Sequence, residues 1–530
     1  MTSQPAGYRM FLAVTIATIL LTGISALPVD AQTTPPDRRF GAVEACWDPV
    51  AAAEIGVGWE RILLYWSELQ PSGRDDWNPY HLPDEWLSNA AQANREVVGL
   101  LKHTPQWATD GIAGCGVPRG LYLPVDDPGN LWANFVRLVV EKYQGRIDHW
   151  IIWNEPDIAP TEYGAQWCGS VEDYYQLLKV AYLAAHEVNP NVTIHLAGLT
   201  YWHDQKYLQK FLAVATSDPG ASENGYYFDV VSLHIYFKSE TVSDVFRAIR
   251  GTLSTHGIQK PIWLNETNAA TNSDSQWDYP DANYQIDPDE QASFLMQSFA
   301  LALSQGAERI AVYKWRDQYF PPEGNEPNGI IRPDYSRLPA VDAYRTIVNN
   351  YSGTASAHAD RQPEYTVVTL SRGTRTTRVM WARTEVEATI TLPALAPQAM
   401  LIEQDGTERQ VTPVDGQYTV TLPGARCADT RGCIIGGRTY LLVEEAAGDP
   451  APSLPVNTPE PETSATPEAS EVVTPTLSSA ALPTATSEPT ATPTPAPQPS
   501  PTPTHTPTST PSPTSPPTNT PTPLPPTPAL

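Results

Sequence analysis

The chain has 530 residues, with 33 Lys and Arg against 59 Asp and Glu, so its formal net charge is −26. Basic residues occur only in short, scattered groups, whereas a polyanion is bound by clustered Lys and Arg, so nucleic acid is excluded as a partner. The length predicts several folded units. The hydrophobic content of 41%, with 15 Trp and 24 Tyr, is enough for a large core and for aromatic rings that contact a ligand.

The amino terminus has the pattern of an export signal. Arg9 precedes an apolar run at residues 10–26, and residues 29–31 (VDA) form a small-residue cleavage pattern. We therefore predict a signal peptide over residues 1–31 and a secreted, extracellular protein. An uncleaved membrane anchor is the alternative, because the run falls at the short end of the about 17–25 residues that span a bilayer.

Residues 38–350 alternate between strands and helices. Short β-branched and aromatic runs predict strands at 40–46, 61–66, 97–102, 148–153, 193–199, 229–236, 261–266 and 309–315. Apolar residues at helical spacing predict helices at 131–143, 172–188, 241–256 and 289–305, the second and fourth capped by Ser170 and Asp287. Eight such units predict an α/β fold, a (β/α)8 TIM barrel. A doubly wound open sheet is the alternative, but the first strand is not followed by its Gly-rich phosphate loop.

Two strand ends carry a carboxylate. The fourth strand ends in WNEPD (153–157) and the seventh in WLNET (263–267). Catalytic side chains of such barrels lie at the carboxyl ends of the strands, and the fourth and seventh strands lie on opposing sides of the ring. Glu155 and Glu266 are therefore expected to face each other across one bound group, as cleavage of a glycosidic bond requires.

These two motifs resemble those of the large clan of retaining glycoside hydrolases that includes cellulase-like and β-xylosidase-like families. The resemblance covers roughly residues 38–350. It implies that Glu155 is the general acid/base, that Glu266 is the nucleophile and that Asn154 contacts the sugar 2-hydroxyl. It also implies carboxyl groups about 5–5.5 Å apart and a covalent glycosyl-enzyme intermediate. No metal or organic cofactor is expected.

Residues near the second and third strands are weaker candidates for substrate binding. Arg61 opens the second predicted strand in a stretch similar to the clan's Arg-then-Trp sequence, and its cation would keep the nucleophile ionised. A structural ion pair is the alternative. His103 lies just past the third strand, where many relatives have a polar residue followed by Pro and Trp. A capping or exposed histidine is the alternative there.

The sixth and eighth strands supply three more candidates. His234 and Tyr236 are two residues apart, so both side chains point to the same side of the strand, and Tyr236 is predicted to hydrogen-bond Glu266. Trp315 is predicted to form the floor of a sugar subsite, because pyranose C–H faces stack on aromatic rings. Packing in the core is the alternative for this tryptophan.

Residues 354–446 alternate with period two between turn residues, which predicts a small antiparallel β-sandwich. We expect it to be a scaffold packed against the barrel, with sugar binding as the alternative. Residues 450–530 are dominated by Pro, Thr, Ser and Ala, and 451–530 contain no Lys or Arg. This composition predicts a disordered tail or an extended stalk that associates the protein with a cell wall or surface.

The five cysteines suit an exported protein. Cys427 and Cys433 are close enough in sequence to cross-link one loop or hairpin, and Cys115 and Cys168 pair if their loops lie side by side. Cys46 then has no partner. A metal site is the competing interpretation, but the sequence has neither CxxC nor a paired HxxxH.

The sequence thus predicts a secreted, retaining glycoside hydrolase that acts on a β-linked oligosaccharide or polysaccharide. We expect a monomer. A second class of function stays open, in which the barrel is a non-catalytic carbohydrate-binding or adhesion protein displayed on its stalk. Hydrolysis of aryl β-glycosides separates the two classes.

Overall fold

A computed structural model of the protein describes residues 35–446, except 163, 278–283, 321–326 and 428–432. The predicted signal peptide (1–31) and the predicted tail (450–530) lie outside the described residues. Within the described residues, no helix is both long and apolar enough to cross a membrane.

The predicted barrel is confirmed. Its strands are β1 (Phe40–Val43), β2 (Trp59–Tyr65), β3 (Glu96–Lys102), β4 (Ile147–Asn154), β5 (Thr193–Gly198), β6 (Val231–Tyr236), β7 (Ile262–Asn268) and β8 (Ile310–Val312). They form one parallel sheet in the order β5-β4-β3-β2-β1-β8-β7-β6. The two outer strands of this order also meet, because the Leu196 amide donates to the Val230 carbonyl (2.9 Å) and the Leu199 amide to the Ser232 carbonyl (3.0 Å).

Helices surround the strands. They are α1 (Pro49–Ile55), α2 (Trp66–Leu69), α3 (Asp84–Gln92), α4 (Leu131–Tyr143), α5 (Val171–Val188), α6 (Tyr207–Ser217), α7 (Thr241–Thr255), α8 (Pro288–Ser304) and α9 (Pro339–Tyr351). Short 3-10 helices lie at Ala45–Trp47, Gln106–Ala108 and Ser222–Tyr227. The four helices predicted from sequence are present, and Ser170 and Asp287 begin α5 and α8 through capping boxes, in which side chain and backbone satisfy each other's free groups.

Two predicted strands are shorter than expected. The first ends at Val43, because Glu44 adopts a left-handed backbone with φ of 58° and a 3-10 helix follows. The eighth ends at Val312 instead of residue 315. Its last predicted residues pair elsewhere, since the Lys314 and Trp315 carbonyls accept from the amides of Ile330 and Ile331.

The barrel interior is filled by large side chains. One buried cluster joins Trp59, Val98, Leu100, Ile151, Val230, Trp263 and Ala311. Val98 and Leu100 are two apart on β3, so they point to the same side, whereas Val97 and Leu101 belong to the cluster between strands and helices. Inward residues nearer the strand ends, such as Arg61 and Lys102, therefore continue this face toward the carboxyl-terminal mouth.

The predicted β-sandwich is also confirmed. Its strands are β9 (Ser356–Arg361), β10 (Tyr365–Arg372), β11 (Arg375–Ala382), β12 (Ala388–Pro393), β13 (Ala399–Glu403), β14 (Glu408–Val411), β15 (Gln417–Leu422) and β16 (Tyr440–Glu445). A six-stranded sheet, in the order β14-β13-β16-β11-β10-β9, and the β12-β15 pair enclose a core that includes Met380, Ile390 and Leu442.

The other face of the six-stranded sheet packs on the barrel. Val368, Val379 and Leu441 join the main barrel core, and helix α8 lies between this sheet and the strands. This explains why α8 is buried on nearly every side, including polar residues such as Gln297. Gln297 donates to the Gly437 carbonyl at 3.0 Å and accepts from Ser239 at 2.8 Å. The sandwich is therefore a packed part of the same body as the barrel.

Candidate active site

Glu155 and Glu266 meet at the carboxyl-terminal mouth of the barrel. One carboxylate oxygen of each lies within 4.8 Å of the other and of a ring nitrogen of His234. The Glu266 side chain is 5% exposed and the Glu155 side chain 15% exposed. This spacing fits the about 5–5.5 Å that separates the carboxyl groups of a retaining pair.

A break in the alternation of β4 aims Glu155 into the mouth. Trp153 and Glu155 both have left-handed backbones, with φ of 74° and 45°. The Trp153 ring therefore packs outside the barrel against Trp167, with ring centroids 5.1 Å apart. Such conformations cost about 1–3 kcal/mol each for residues with a Cβ, and they gather at functional sites. Other non-glycine residues with positive φ also follow barrel strands: Glu44, His103, Tyr201 and Phe237.

A bulge in β7 determines the orientation of the Glu266 side chain. Leu233 of β6 pairs with Leu264, but the next residue, His234, pairs with Glu266, so Asn265 is an extra residue in β7. Bulges of this kind re-aim a side chain, and they are common beside active sites. As a result, Glu266 lies directly opposite His234 on the neighbouring strand.

Glu266 is surrounded by donors that favour its ionised form. Arg61, itself 1% exposed, places Nη1 2.5 Å from Oε1, and the Tyr236 hydroxyl donates to Oε2. Burial alone would raise the pKa of Glu266, but Arg61, His234 and Tyr236 outweigh it and hold the pKa below its ordinary value. The structure thus places Arg61 and Tyr236 where the sequence predicted, against an ionised carboxylate.

Glu155 has different neighbours. Its Oε1 lies 2.7 Å from Nδ1 of His234, and its Oε2 accepts from Nε2 of Gln166 at 3.1 Å. When Glu155 is ionised, its carboxylate can only accept, so the His234 Nδ1 then carries the proton of this bond. Among the described residues, Glu155 thus has no guanidinium within ion-pair distance, and it keeps contact with solvent, whereas Glu266 is buried against Arg61. Two carboxyl groups in such different environments suit an acid/base and a nucleophile.

The His234 ring fits only because its neighbour on β5 is a glycine. A Cβ built on Gly198 would lie 1.9 Å from His234 Nε2, far inside van der Waals contact. His234 is 1% exposed and also approaches Glu266, with Nδ1 3.4 Å from Oε2. Gly198 therefore allows one imidazole to contact both carboxylates, a requirement that the sequence does not reveal.

Asn154 also lies at the mouth and is 6% exposed. Its Oδ1 is buried and accepts no hydrogen bond from any residue in the described part of the chain. A buried amide oxygen that lacks a protein donor is costly unless another group satisfies it. The contact with a sugar hydroxyl stays a prediction.

Lys102 and Gln166 are site residues that the sequence analysis missed. Lys102 follows Val98 and Leu100 on the inner face of β3, and its amine donates to Gln166 Oε1. Burial lowers the pKa of Lys102 to about 8, although the charges of Glu155 and Glu266 raise it. The sequence did contain a signal for Lys102. Val98, Leu100 and Lys102 alternate along β3, so the one charged residue among them is expected on the inner face at the strand end.

His103 is not placed with the two glutamates. Its Nδ1 lies 3.1 Å from the Ser67 hydroxyl, and its ring packs at 5.0 Å against Tyr65. Burial, with help from Lys102, lowers the pKa of His103. Within the described residues, no hydrogen bond or ion pair joins it to Glu155 or Glu266. A role in substrate binding stays a prediction.

The prediction for Trp315 is wrong. A stacking platform needs an exposed ring face, but Trp315 is fully buried and packs at 5.8 Å from Tyr344 of α9. The cause is the early end of β8, which turns the tryptophan into the core between barrel and helix. Tyr313 is the aromatic residue on the site side, with its ring 5.9 Å from that of Tyr236. Burial and the charge of Glu266 raise its pKa, so its hydroxyl stays protonated.

Glu155, His234 and Glu266 are also close enough together to hold a metal ion. His234 Nδ1 is, however, already hydrogen-bonded to Glu155, and Arg61 forms an ion pair with Glu266 at 2.5 Å. A second cation, Lys102, lies nearby. A divalent ion would add charge to a site whose two carboxylates already face two cations, so we assign no metal here.

Comparisons with known proteins agree with the fold. The chain is similar to a family 39 glycoside hydrolase from Bacteroides cellulosilyticus WH2, with 16% identity, TM-score 0.58, and coverage of 77% of this chain and 81% of that one. It is also similar to a monomeric β-xylosidase from Caulobacter crescentus CB15 (14% identity, TM-score 0.53, 78% and 98% coverage). The catalytic domain of GH30 xylanase C from Talaromyces cellulolyticus gives 12% identity, TM-score 0.53, and 78% and 97% coverage. No protein-family model and no curated protein matches the chain.

These solved structures are glycoside hydrolases, and the shared feature is the barrel. Identities of 12–16% establish the fold alone. One barrel fold carries many activities, so function must be argued from the site.

Proposed function

We propose that the protein is a retaining glycoside hydrolase that cleaves a β-linked glycan. The observation that supports this most strongly is the pair Glu155 and Glu266, with carboxylate oxygens within 4.8 Å and unlike surroundings. The similarity of the barrel to solved glycoside hydrolases agrees with the proposal. Carbohydrate is the proposed substrate class.

In the proposed reaction, the Glu266 carboxylate attacks the anomeric carbon while Glu155 donates its proton to the departing oxygen. The leaving group departs with that proton, and the sugar stays attached to Glu266 as an ester. Glu155 then takes a proton from water as the water oxygen attacks the same carbon, which breaks the ester and restores both residues. Arg61 and Tyr236 hold Glu266 ionised before the first step, and they stabilise the carboxylate that is released in the second.

Hydrolysis of a panel of aryl β-glycosides tests this proposal. The panel contains gluco-, xylo-, manno- and galactosides, and xylosides come first because two of the similar structures are described as a β-xylosidase and a xylanase. We expect wild-type protein to release the phenol from at least one member, and Glu155→Ala to lose this activity. Glycan binding without hydrolysis by the wild type would favour the adhesion function instead.

A polysaccharide panel then defines the natural substrate. Glucan, xylan, mannan and galactan are digested, and the lengths of the products are measured. Products of mixed length would indicate internal cleavage, whereas monosaccharide or disaccharide alone would indicate cleavage from a chain end. The stereochemistry of the first product, read by NMR, distinguishes retention from inversion.

We also propose that the protein is exported and works outside the cell. Two disulfides support this proposal, Cys115–Cys168 and Cys427–Cys433, because such bonds persist in oxidising compartments. Cys46 is free and buried, as its lack of a partner in the sequence analysis predicted. Amino-terminal sequencing of the mature protein is the test, with cleavage after Ala31 expected. Association with a cell surface through the tail is tested by fractionating cells that produce either the full-length protein or a variant without residues 450–530.

A further inference from the structure

We propose that Gln166 and Lys102 are positioning residues that fix the Glu155 carboxyl group, and that the Cys115–Cys168 disulfide keeps Gln166 in place. This inference rests on the proposed function, since it assigns a task in proton donation by Glu155. It concerns the loop between β4 and α5, in which Gln166 lies beyond the WNEPD motif (153–157).

Gln166 is a polar bridge with a defined direction. Its Nε2 donates to Glu155 Oε2 at 3.1 Å, and its Oε1 accepts from the Lys102 amine. The opposite orientation of the amide would place oxygen against a carboxylate and NH2 against an ammonium. The charges on both sides therefore orient the glutamine.

Lys102 has few alternatives to this bridge. It is 8% exposed, and within the described residues no carboxylate lies within ion-pair distance of its amine. The amine also lies over the Tyr65 ring, 5.4 Å from its centre. A buried ammonium without a carboxylate partner is costly unless it is hydrogen-bonded, which ties Lys102 to the Gln166 oxygen.

The backbone around Gln166 is fixed at three points. The Trp153 indole donates to the Gln166 carbonyl at 2.8 Å, and the Trp167 ring packs on that of Trp153. The next residue, Cys168, is bonded to Cys115, and its amide donates to the Cys115 carbonyl at 2.9 Å. The disulfide joins this loop to the loop that follows β3.

The carboxyl-terminal ends of β3 and β4 are thereby linked in two ways. Lys102 ends β3 and Glu155 follows β4, and Gln166 joins their side chains. The disulfide joins the loops that leave the same two strands. His234 Nδ1 lies 2.7 Å from the other carboxyl oxygen of Glu155. With one oxygen held by His234, the bond from Gln166 to the second oxygen prevents the carboxyl group from rotating.

A residue that positions the acid matters most when the leaving group needs a proton. When the phenol of an aryl glycoside is very acidic, as 2,4-dinitrophenol is, the phenolate leaves without protonation. When the phenol is weakly acidic, its departure depends on the general acid. Loss of positioning therefore slows the second kind selectively. General disruption of the fold slows both kinds equally.

The experiment compares wild type, Gln166→Leu and Lys102→Met on two aryl β-glycosides of the sugar that the wild type hydrolyses best. We expect Gln166→Leu to lower kcat/KM by about tenfold with a 4-methylphenol leaving group and by less than about twofold with 2,4-dinitrophenol. Lys102→Met should show the same pattern with a smaller effect, because Gln166 keeps its bond to Glu155. Equal losses on both substrates, or no loss on either, would overturn the assignment.

Removal of the disulfide provides a second and milder test. The double variant Cys115→Ser/Cys168→Ser should lose activity only on the 4-methylphenyl glycoside, by about threefold. The control is Cys427→Ser/Cys433→Ser, which removes the other disulfide, in the sandwich, and should leave both rates unchanged. Equal behaviour of the two double variants would contradict the role given to Cys115–Cys168.

The result also distinguishes this inference from the proposed function. If wild-type protein hydrolyses no glycoside, the proposed function fails. If the wild type is active and the variants lose both substrates in parallel, the enzyme assignment stands and the positioning role fails.

Discussion

The two ends of the barrel carry the same kinds of residue in different arrangements. At the carboxyl-terminal mouth, Arg61, His234, Glu155 and Glu266 are in contact. At the opposite end, Glu96 contacts Arg38 at 2.8 Å, Arg309 at 2.5 Å and His149 at 3.5 Å. His149 in turn lies 3.0 Å from His195 through its Nδ1.

In the amino-terminal cluster (Glu96, His149, His195, Arg309), the carboxylate is held by cations. Glu96 has two arginines, and the Arg309 guanidinium stacks 4.2 Å above the Trp263 ring. Burial would raise the pKa of Glu96, but Arg309 and its neighbours lower it. Such a cluster closes the end of the barrel, and residues at this end of the fold serve stability.

The mouth differs in the partners of its acids. Glu155 has no Lys or Arg within ion-pair distance among the described residues, and its neighbour Asn154 has an amide oxygen without a protein donor there. The backbone there is also strained, with φ of 74° at Trp153. Composition thus does not distinguish a catalytic cluster from a structural one. What distinguishes them is a glutamate without a Lys or Arg partner in the described residues, and strained backbone beside it.

Substituting one glutamate at each end of the barrel gives the largest expected difference between the mouth and the amino-terminal cluster. Glu266→Gln removes the proposed nucleophile, so we expect kcat to fall by about 10⁴-fold or more. Glu96→Gln weakens two ion pairs at the other end, so we expect kcat within about twofold of wild type and a lower Tm. Aryl glycoside kinetics and thermal unfolding measure both variants. Loss of turnover in Glu96→Gln would contradict the division of roles.

The substitution Gly198→Ala tests whether the His234 ring needs the space that the glycine leaves. The added Cβ would lie 1.9 Å from Nε2, so Gly198→Ala should displace the imidazole, lower kcat/KM by about 100-fold and destabilise the fold by about 1–3 kcal/mol. The control is Gly251→Ala in α7, where no atom lies within 4 Å of the added group. That variant should keep full activity and gain up to about 1 kcal/mol. Full activity in Gly198→Ala would show that His234 is not needed between the carboxylates.

Removal of an arginine at each end sharpens the electrostatic difference. Without Arg61, burial of Glu266 is less opposed, so its pKa rises and the acidic limb of the kcat/KM profile of Arg61→Met should move to higher pH. Arg309→Met should leave this limb in place while lowering Tm. An unchanged acidic limb in Arg61→Met would mean that Arg61 does not control the ionisation of Glu266.

The histidines of the amino-terminal cluster predict a small pH dependence of stability. Burial, with a contribution from His149, holds the pKa of His195 well below 6.5, and burial also lowers the pKa of His149. The unfolded chain binds protons below about pH 6.5 that the folded chain does not, so the stabilisation is complete above that pH and is lost as the pH falls.

Urea unfolding at pH 7 and pH 5.5 measures this effect. We expect the free energy of unfolding to fall by about 1 kcal/mol from His195 over this range, and by less from His149. His195→Asn should reduce the fall, because it removes one of the two groups. An unfolding free energy independent of pH would contradict the neutral, buried state of His195.

The fold and part of the site followed from local sequence rules. Strand period placed His234 and Tyr236 on one face, and barrel topology brought the ends of β4 and β7, and with them Glu155 and Glu266, to the same mouth. Likewise, the proximity of Cys427 and Cys433 in the chain predicted their bond.

The rest depended on irregular backbone, which local patterns do not encode. Trp315 was misplaced because the loop at residues 328–331 captures the end of β8. Gln166 was missed because its position depends on the Cys115–Cys168 bond and the Trp153 indole. The aim of Glu155 depends on a left-handed turn at a tryptophan, a conformation that its sequence does not favour.

The central claim is that Glu266 forms a bond to the sugar while Glu155 handles the proton. The most direct test is to incubate the protein with an activated 2-deoxy-2-fluoro glycoside of the sugar it hydrolyses, and to map the labelled peptide by mass spectrometry. We predict one sugar per chain, attached to Glu266, and release of the label when an acceptor sugar is added. A label on another residue, or turnover with inversion and no label, would contradict the claim.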